Sequence, residues 1–217
     1  MKKLYAAGLV FVFSIVFTLK ALAADHEWEA AKQVVESTTE KVVELMSDSS
    51  LFKEENRGRL QSEIEQIVTP VIDFYGFGRG VMGRFARGAS EEELERFAGV
   101  LKTTLIRTYS MAVSEFSVRE FTITPPRAPS PQPEMQVVNV QLTSTAGKTY
   151  NILYYMRNID GNWMLVNVAV EGINLRLTFQ NQFADMYQRS RDVTSVIDNW
   201  EERVASTISE VMEDVEG

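Results

Sequence analysis

Apolar positions recur at helical spacing through the first half of the chain. Trp28, Ala31, Val35, Thr38, Val42 and Leu45 step by three and four, which places them on one face of a helix over residues 25–48. A second helix is expected over 55–69, with Leu60, Ile64, Ile67 and Val68 on its apolar side. Pro70 marks a break or a fresh start, and 71–86 follows as an apolar, glycine-rich segment that is helical in part. Ser90 opens another helix as its N-cap. Glu93 completes a capping box, and Leu94, Phe97, Ala98, Leu101, Leu105 and Tyr109 form the inner stripe.

After residue 116 the period changes to two. Arg119, Phe121 and Ile123 alternate with polar neighbours in a first strand. Five of the six prolines then crowd into Pro125–Pro133, which must be an extended connection because proline cannot donate to a sheet ladder. Strand two carries Val138, Val140 and Leu142, and strand three Tyr150, Ile152, Tyr154 and Met156. Asp160-Gly161 is a hairpin signal, and strand four follows with Met164, Val166, Val168 and Val170 assigned to one face. Large apolar groups on both faces of strands three and four predict a sheet covered on both sides. Two closing helices carry Phe179 and Phe183, then Val193, Val196, Ile197 and Trp200. The order spells an α+β fold, with an antiparallel sheet of about four strands packed with N- and C-terminal helices. Composition alone does not tell whether the apolar side chains enclose a solid core or a pocket.

The start of the chain changes the picture. Lys2 and Lys3 precede an apolar run from Leu4 to Leu19, and Ala21-Leu22-Ala23 supplies the small residues of a cleavage site. The run is short for a membrane span of about 20 residues. Residues 1–23 are therefore expected to be a cleaved signal peptide, and 24–217 a single domain with an acidic tail from about 201. The leader has three lysines and no acid, so its removal takes the net charge from −8 to −11. That balance argues against nucleic acid and against electrostatic docking on anionic lipid. The chain has no cysteine, which excludes thiolate chemistry and a lipidated N-terminus.

Candidate chemistry is thin. Gly78-Arg79-Gly80-Val81-Met82-Gly83 matches a dinucleotide fingerprint, but no strand precedes it, so the glycines are expected to let helical segments approach each other or a ligand. His26 is the only histidine and lies close to the expected cleavage site. Glu65 with Asp73, or Glu171 with Asp185, are the conceivable carboxylate pairs, with capping or structural roles favoured. No catalytic residue, metal or cofactor is assigned. Arg79, Arg84 and Arg87 form a basic run suited either to solvent or to phosphate.

Two stretches point further. Pro70-Val71-Ile72-Asp73-Phe74, Val81-Met82-Gly83 and Ser90-Glu91 leading into Phe97 and Tyr109 form the first. Gly161-Asn162-Trp163, then Val168 to Asn174, then Gln180-Asn181-Gln182-Phe183 form the second. In this order, over 28–200, they resemble the MlaC family, the toluene-tolerance auxiliary components of phospholipid-transport ABC systems. Asn167 stands where members usually carry aspartate, Asn174 where serine is usual, and Ala86 where an aromatic is common.

The resemblance implies a monomeric, non-enzymatic periplasmic phospholipid carrier with a sheet like that of nuclear transport factor folds. It also implies exchange with the MCE-domain protein MlaD of an inner-membrane ABC transporter and with the outer-membrane lipoprotein MlaA and its porin. On that reading acyl chains would lie between Ile152, Tyr154, Val166 and Val168 of the sheet and helical residues Phe74, Val81, Met82, Phe97, Leu101, Tyr109, Phe179 and Phe183. Arg79 or Arg84 would contact head-group phosphate. A periplasmic chaperone or adaptor with a solid core, or an enzyme with a paired carboxylate in a similar cavity, are the competing classes.

Overall fold

The computed structural model describes residues 26–115 and 118–204; the expected leader and most of the acidic tail lie outside them. Helix α1 covers 26–46. Two short 3-10 turns, Ser49–Phe52 and Glu54–Asn56, lead into α2, Arg57–Val68. A third turn, Thr69–Val71, contains Pro70 at a position where a missing N–H costs nothing. Helix α3, Phe74–Met82, follows, then a 3-10 segment Gly83–Arg87, and then α4, Glu91–Glu115.

The start of α4 is capped reciprocally. Ser90 Oγ accepts the Glu93 backbone N–H at 3.2 Å, and a Glu93 carboxylate oxygen accepts the Ser90 backbone N–H at 2.8 Å. Asp73 caps α3 with a single bond, its carboxylate accepting the Gly76 N–H at 2.7 Å.

The strands are β1 (Val118–Thr124), β2 (Met135–Ser144), β3 (Thr149–Ile159), β4 (Asn162–Val170) and the two-residue β5 (Ile173–Asn174). They pair antiparallel in sequence order, so the expected four strands gain a short fifth. The proline-rich segment is the β1–β2 connection. Asp160 (φ 52°) and Gly161 (φ 87°) turn β3 into β4, and Glu171 (φ 48°) with Gly172 (φ 84°) turn β4 into β5. Paired positive φ values are the type I′ geometry that matches strand twist, which explains two turns of only two residues. Helices α5 (Leu175–Ser190) and α6 (Val193–Asp198) follow, with a last helical turn, α7, at 200–204.

One feature of β4 departs from strict alternation. Tyr155 pairs with Asn167 but Met156 pairs with Leu165, so a bulge absorbs one extra residue at Val166. Leu165 and Val168 are thereby placed on the cavity side, whereas Val166 leaves the face on which alternation had put it. The sheet is also less covered than expected. Val138 and Val140 on the inner face are fully buried, while Leu153 and Tyr155 on the outer face are only half-buried and Val137 is 42% exposed.

Two principal cores result. Phe97, Phe179, Phe183 and Trp200, each under 2% exposed, join α3, α4, α5 and the C-terminal helices. Their rings meet edge-on, with the Phe97–Trp200 centroids 5.0 Å apart and those of Phe97 and Phe183 5.2 Å apart. Ala31 and Val35 of α1 instead pack on Val138, Val140, Met156 and Trp163 of the sheet. The glycines of α3 belong to the first core. A Cβ on Gly78 would lie 3.5 Å from the Phe97 ring, and one on Gly80 2.7 Å from Arg176 Cδ, so they admit α4 and α5 at close range.

Candidate functional site

Between those two cores the molecule is hollow. A cavity of about 390 Å³ opens between the inner face of the sheet and the helices. Leu142, Ile152, Tyr154, Met156, Leu165, Val168 and Val170 floor it. Helix α1 supplies a whole wall with Val34, Val35, Thr38, Thr39, Val42, Val43 and Met46. Ile64 and Val68 of α2, Phe74 and Phe77 of α3, Leu105, Ile106 and Tyr109 of α4, and Leu175 and Phe179 of α5 complete the enclosure.

The few polar atoms on this surface are mostly spoken for. Thr38 and Thr39 donate their hydroxyls to the carbonyls of Val34 and Val35, at 2.7 and 2.8 Å. Asn167, 3% exposed, accepts the Arg176 backbone N–H at 3.2 Å. The two tyrosines differ, since neither hydroxyl has a hydrogen-bond partner among the described residues. Burial pushes the Tyr154 phenol up to about 12 and that of Tyr109 higher still, so both stay neutral donors. No lining residue is an acid, a base or a histidine, and no group of three metal-ligating side chains occurs among the described residues. The surface therefore suits an apolar guest with no charge to neutralise inside.

The conceivable carboxylate pairs are occupied elsewhere. Glu65 forms an ion pair with Lys102 at 2.7 Å. Asp73 is the α3 cap, and Glu171 accepts from the backbone and side-chain amide of Asn151. His26 is exposed. A second hollow, an open groove of about 460 Å³ over Met186, Arg189, Ser195, Val196, Asn199 and Glu202, has a mixed polar and apolar lining and faces solvent.

The structure divides the residues proposed from sequence. Phe74, Tyr109, Ile152, Tyr154, Val168 and Phe179 line the cavity. Val81, Met82, Phe97, Leu101 and Phe183 do not. They sit in the solid helical core, because the side of each helix that carries them meets another helix rather than the sheet. Val166 is turned away by the bulge. Arg79 and Arg84 are exposed and lie outside the cavity lining, their guanidiniums 6.0 Å from the Tyr75 ring centroid and 4.9 Å from that of Phe85. The contribution of α1 was missed. Its signal is the doubling of apolar positions at Val34-Val35 and Val42-Val43, wider than a single core stripe requires.

Comparison with known proteins places this architecture. Residues 36–202 match the family model described as MlaC protein. The toluene tolerance protein ttg2D of Pseudomonas putida is 31% identical over 201 residues, spanning 90% of this chain and 89% of the relative. Among solved structures, a phospholipid-binding protein from Ralstonia solanacearum, determined with a bound phospholipid, superposes with a TM-score of 0.72. It covers 82% of this chain and 98% of its own, at 23% identity, which makes the likeness one of fold. With the α+β architecture in hand, and a family match that runs through both motif-bearing stretches, this chain is a member of the MlaC protein family.

Proposed function

We propose that this protein is a soluble periplasmic carrier that holds phospholipid acyl chains in the cavity between α1 and the sheet. The observation that carries the reading is a cavity of about 390 Å³ whose walls are mainly aliphatic and aromatic and, among the described residues, hold no ionisable group other than two neutral phenols. That volume lies within the range of about 300–1,000 Å³ usual for small-molecule sites. Each methylene withdrawn from water contributes about 0.8 kcal/mol, so a long chain offers roughly 10 kcal/mol before ordering costs. The head group would remain at the solvent boundary. Six residues named from sequence take part in this reading, together with the α1 wall.

The bound phospholipid at the fold neighbour and the family membership support the same cargo. Export through the cleaved leader 1–23, and exchange with the MCE-domain protein MlaD and with MlaA and its porin, complete the proposal. The protein acts as a monomeric, non-enzymatic component of an ABC-type lipid-asymmetry system; the lining favours that over an acid–base enzyme. The test is mass spectrometry on protein purified without detergent, first native and then denatured. Stoichiometric phospholipid released on denaturation is expected. Protein that runs at its apo mass and releases no lipid overturns the carrier reading and favours the adaptor.

A further inference from the structure

Arg57, Arg59, Arg96, Arg107 and Arg119 each pair with a carboxylate. Eight further arginines, Arg79, Arg84, Arg87, Arg127, Arg157, Arg176, Arg189 and Arg191, form no ion pair among the described residues, although acids outnumber bases 30 to 22. Three of these eight, Arg79, Arg84 and Arg176, follow one seam. Arg176 of α5 lies across Gly80 of α3, beside Arg79, and Gln180, one turn further along α5, lies across Gly83, beside Arg84. Arg84 rests on Phe85, whose ring is 4.3 Å from that of Tyr187 and 5.9 Å from that of Phe183, both on α5. The aromatic contacts of Arg79 and Arg84 steady these two guanidiniums, which reduces the ordering cost of a contact. Glu91, bonded to the Tyr75 hydroxyl at 2.7 Å, borders the Arg79 end.

The same seam borders an exposed apolar side chain. Leu177 is 54% exposed, next in chain to Arg176 and one helical turn from Gln180. The other large exposed hydrophobic among the described residues is Val137, in the sheet. An exposed apolar side chain beside guanidiniums that form no ion pair among the described residues is the composition of a protein-docking patch.

We propose that the α3–α5 seam, with Arg79, Arg84 and Arg176 and the neighbouring Leu177, is a docking surface for a partner protein that presents an acidic face. A bilayer fits less well. The whole chain carries a charge of −8, which opposes approach to anionic lipid, and one leucine is too small an anchor. A protein partner meets only the local patch, within a Debye length of about 8–10 Å. The proposal does not rest on the cargo, because the seam stands outside the cavity lining.

The experiment is site-specific photo-cross-linking in the native cell, with Leu177→p-benzoylphenylalanine in the full chain. The expected result is a covalent adduct to a protein whose cross-linked peptide is rich in Asp and Glu. In the combined R79E, R84E and R176E background the adduct should fall at least about tenfold, and exchanging the partner's acids for Lys should restore it. Phospholipid released per protein should stay unchanged, which separates this result from a failure of the carrier reading. If charge reversal impairs folding, the same adduct with all arginines intact should weaken between about 50 and 500 mM salt. No protein adduct, an adduct on a non-acidic peptide, or an adduct indifferent to both charge reversal and salt overturns the proposal. So does Arg-dependent flotation with vesicles of about 30% phosphatidylglycerol, which would assign the seam to a membrane surface.

Discussion

Asn167 of β4 accepts the backbone N–H of Arg176 at 3.2 Å, and so fastens the bulged strand to the first turn of α5. Asn174 accepts the next N–H, that of Leu177, at 3.0 Å. Two asparagines thus satisfy two of the four N–H groups that open a helix. Asn167→Ala would leave a buried donor without a partner and should cost about 1–3 kcal/mol in urea denaturation. Asn167→Asp keeps an acceptor and adds charge at the positive helix end, so its loss should be smaller. Equal losses for the two variants would show that the acceptor is not what matters at this position.

The cavity and the solid core answer differently to substitution. Ile152→Trp and Val42→Trp project bulk into empty space. They should lower the phospholipid released per protein by more than half while leaving the melting temperature within a few degrees. Phe183→Ala removes a fully buried ring from the helical core and should cost about 3–5 kcal/mol by chemical denaturation. A tryptophan variant that keeps its full lipid load would remove that residue from the proposed binding surface.

The phenols predict an alkaline signature. Burial raises the folded-state values of Tyr154, to about 12, and of Tyr109 above their unfolded value of 10.0. The stability this gives is fully present below pH 10 and is lost as pH rises through the folded values. Tyr154→Phe removes a hydroxyl that has no partner among the described residues and should be neutral or slightly stabilising at pH 7. The double variant Y109F/Y154F should flatten the decline in melting temperature above pH 10. An unaltered decline would place the alkaline transition elsewhere.

The α4 cap predicts an acid signature of opposite sense. Hydrogen bonds from the Ser90 backbone N–H and hydroxyl hold the Glu93 carboxyl below its usual range. Its contribution is present above the unfolded value of 4.5 and is lost as pH falls through the folded one. Ser90→Ala should cost about 1 kcal/mol at pH 7 and less at pH 3, measured by urea midpoints. A cost independent of pH would mean that the bond from the Ser90 hydroxyl to the Glu93 carboxylate contributes nothing.

How much of this was legible in the sequence depends on which physical rule governs each residue. The capping box at Ser90, the Asp160-Gly161 turn and the α1 and α4 stripes follow from local chemistry, and the structure has them where the pattern puts them. Periodicity tells that Phe97, Leu101 and Phe183 point inward. It does not tell whether inward means a helix or a hollow, since both demand the same apolar side chains. The bulge escaped because alternation through Val166 looks uninterrupted; a polar Asn167 in mid-strand was its one mark. Phosphate chemistry made Arg79 and Arg84 attractive head-group contacts, but the cavity has no opening defined by composition, and tertiary packing set them on the α3–α5 seam.

The α1 wall has a consequence for the order of assembly. Trp28 donates its indole N–H to the Val137 carbonyl, a contact spanning 109 residues of sequence, and the strands opposite Val35 are completed only beyond residue 160. The helix synthesised first must therefore wait for the strands synthesised late before its apolar stripe is covered. Contacts so distant slow folding and leave greasy surface exposed in the interval. A chain emerging N-terminus first would carry an uncovered α1 until the β3–β4 hairpin arrives, which makes that interval the stage at which a holding chaperone has the most to grip.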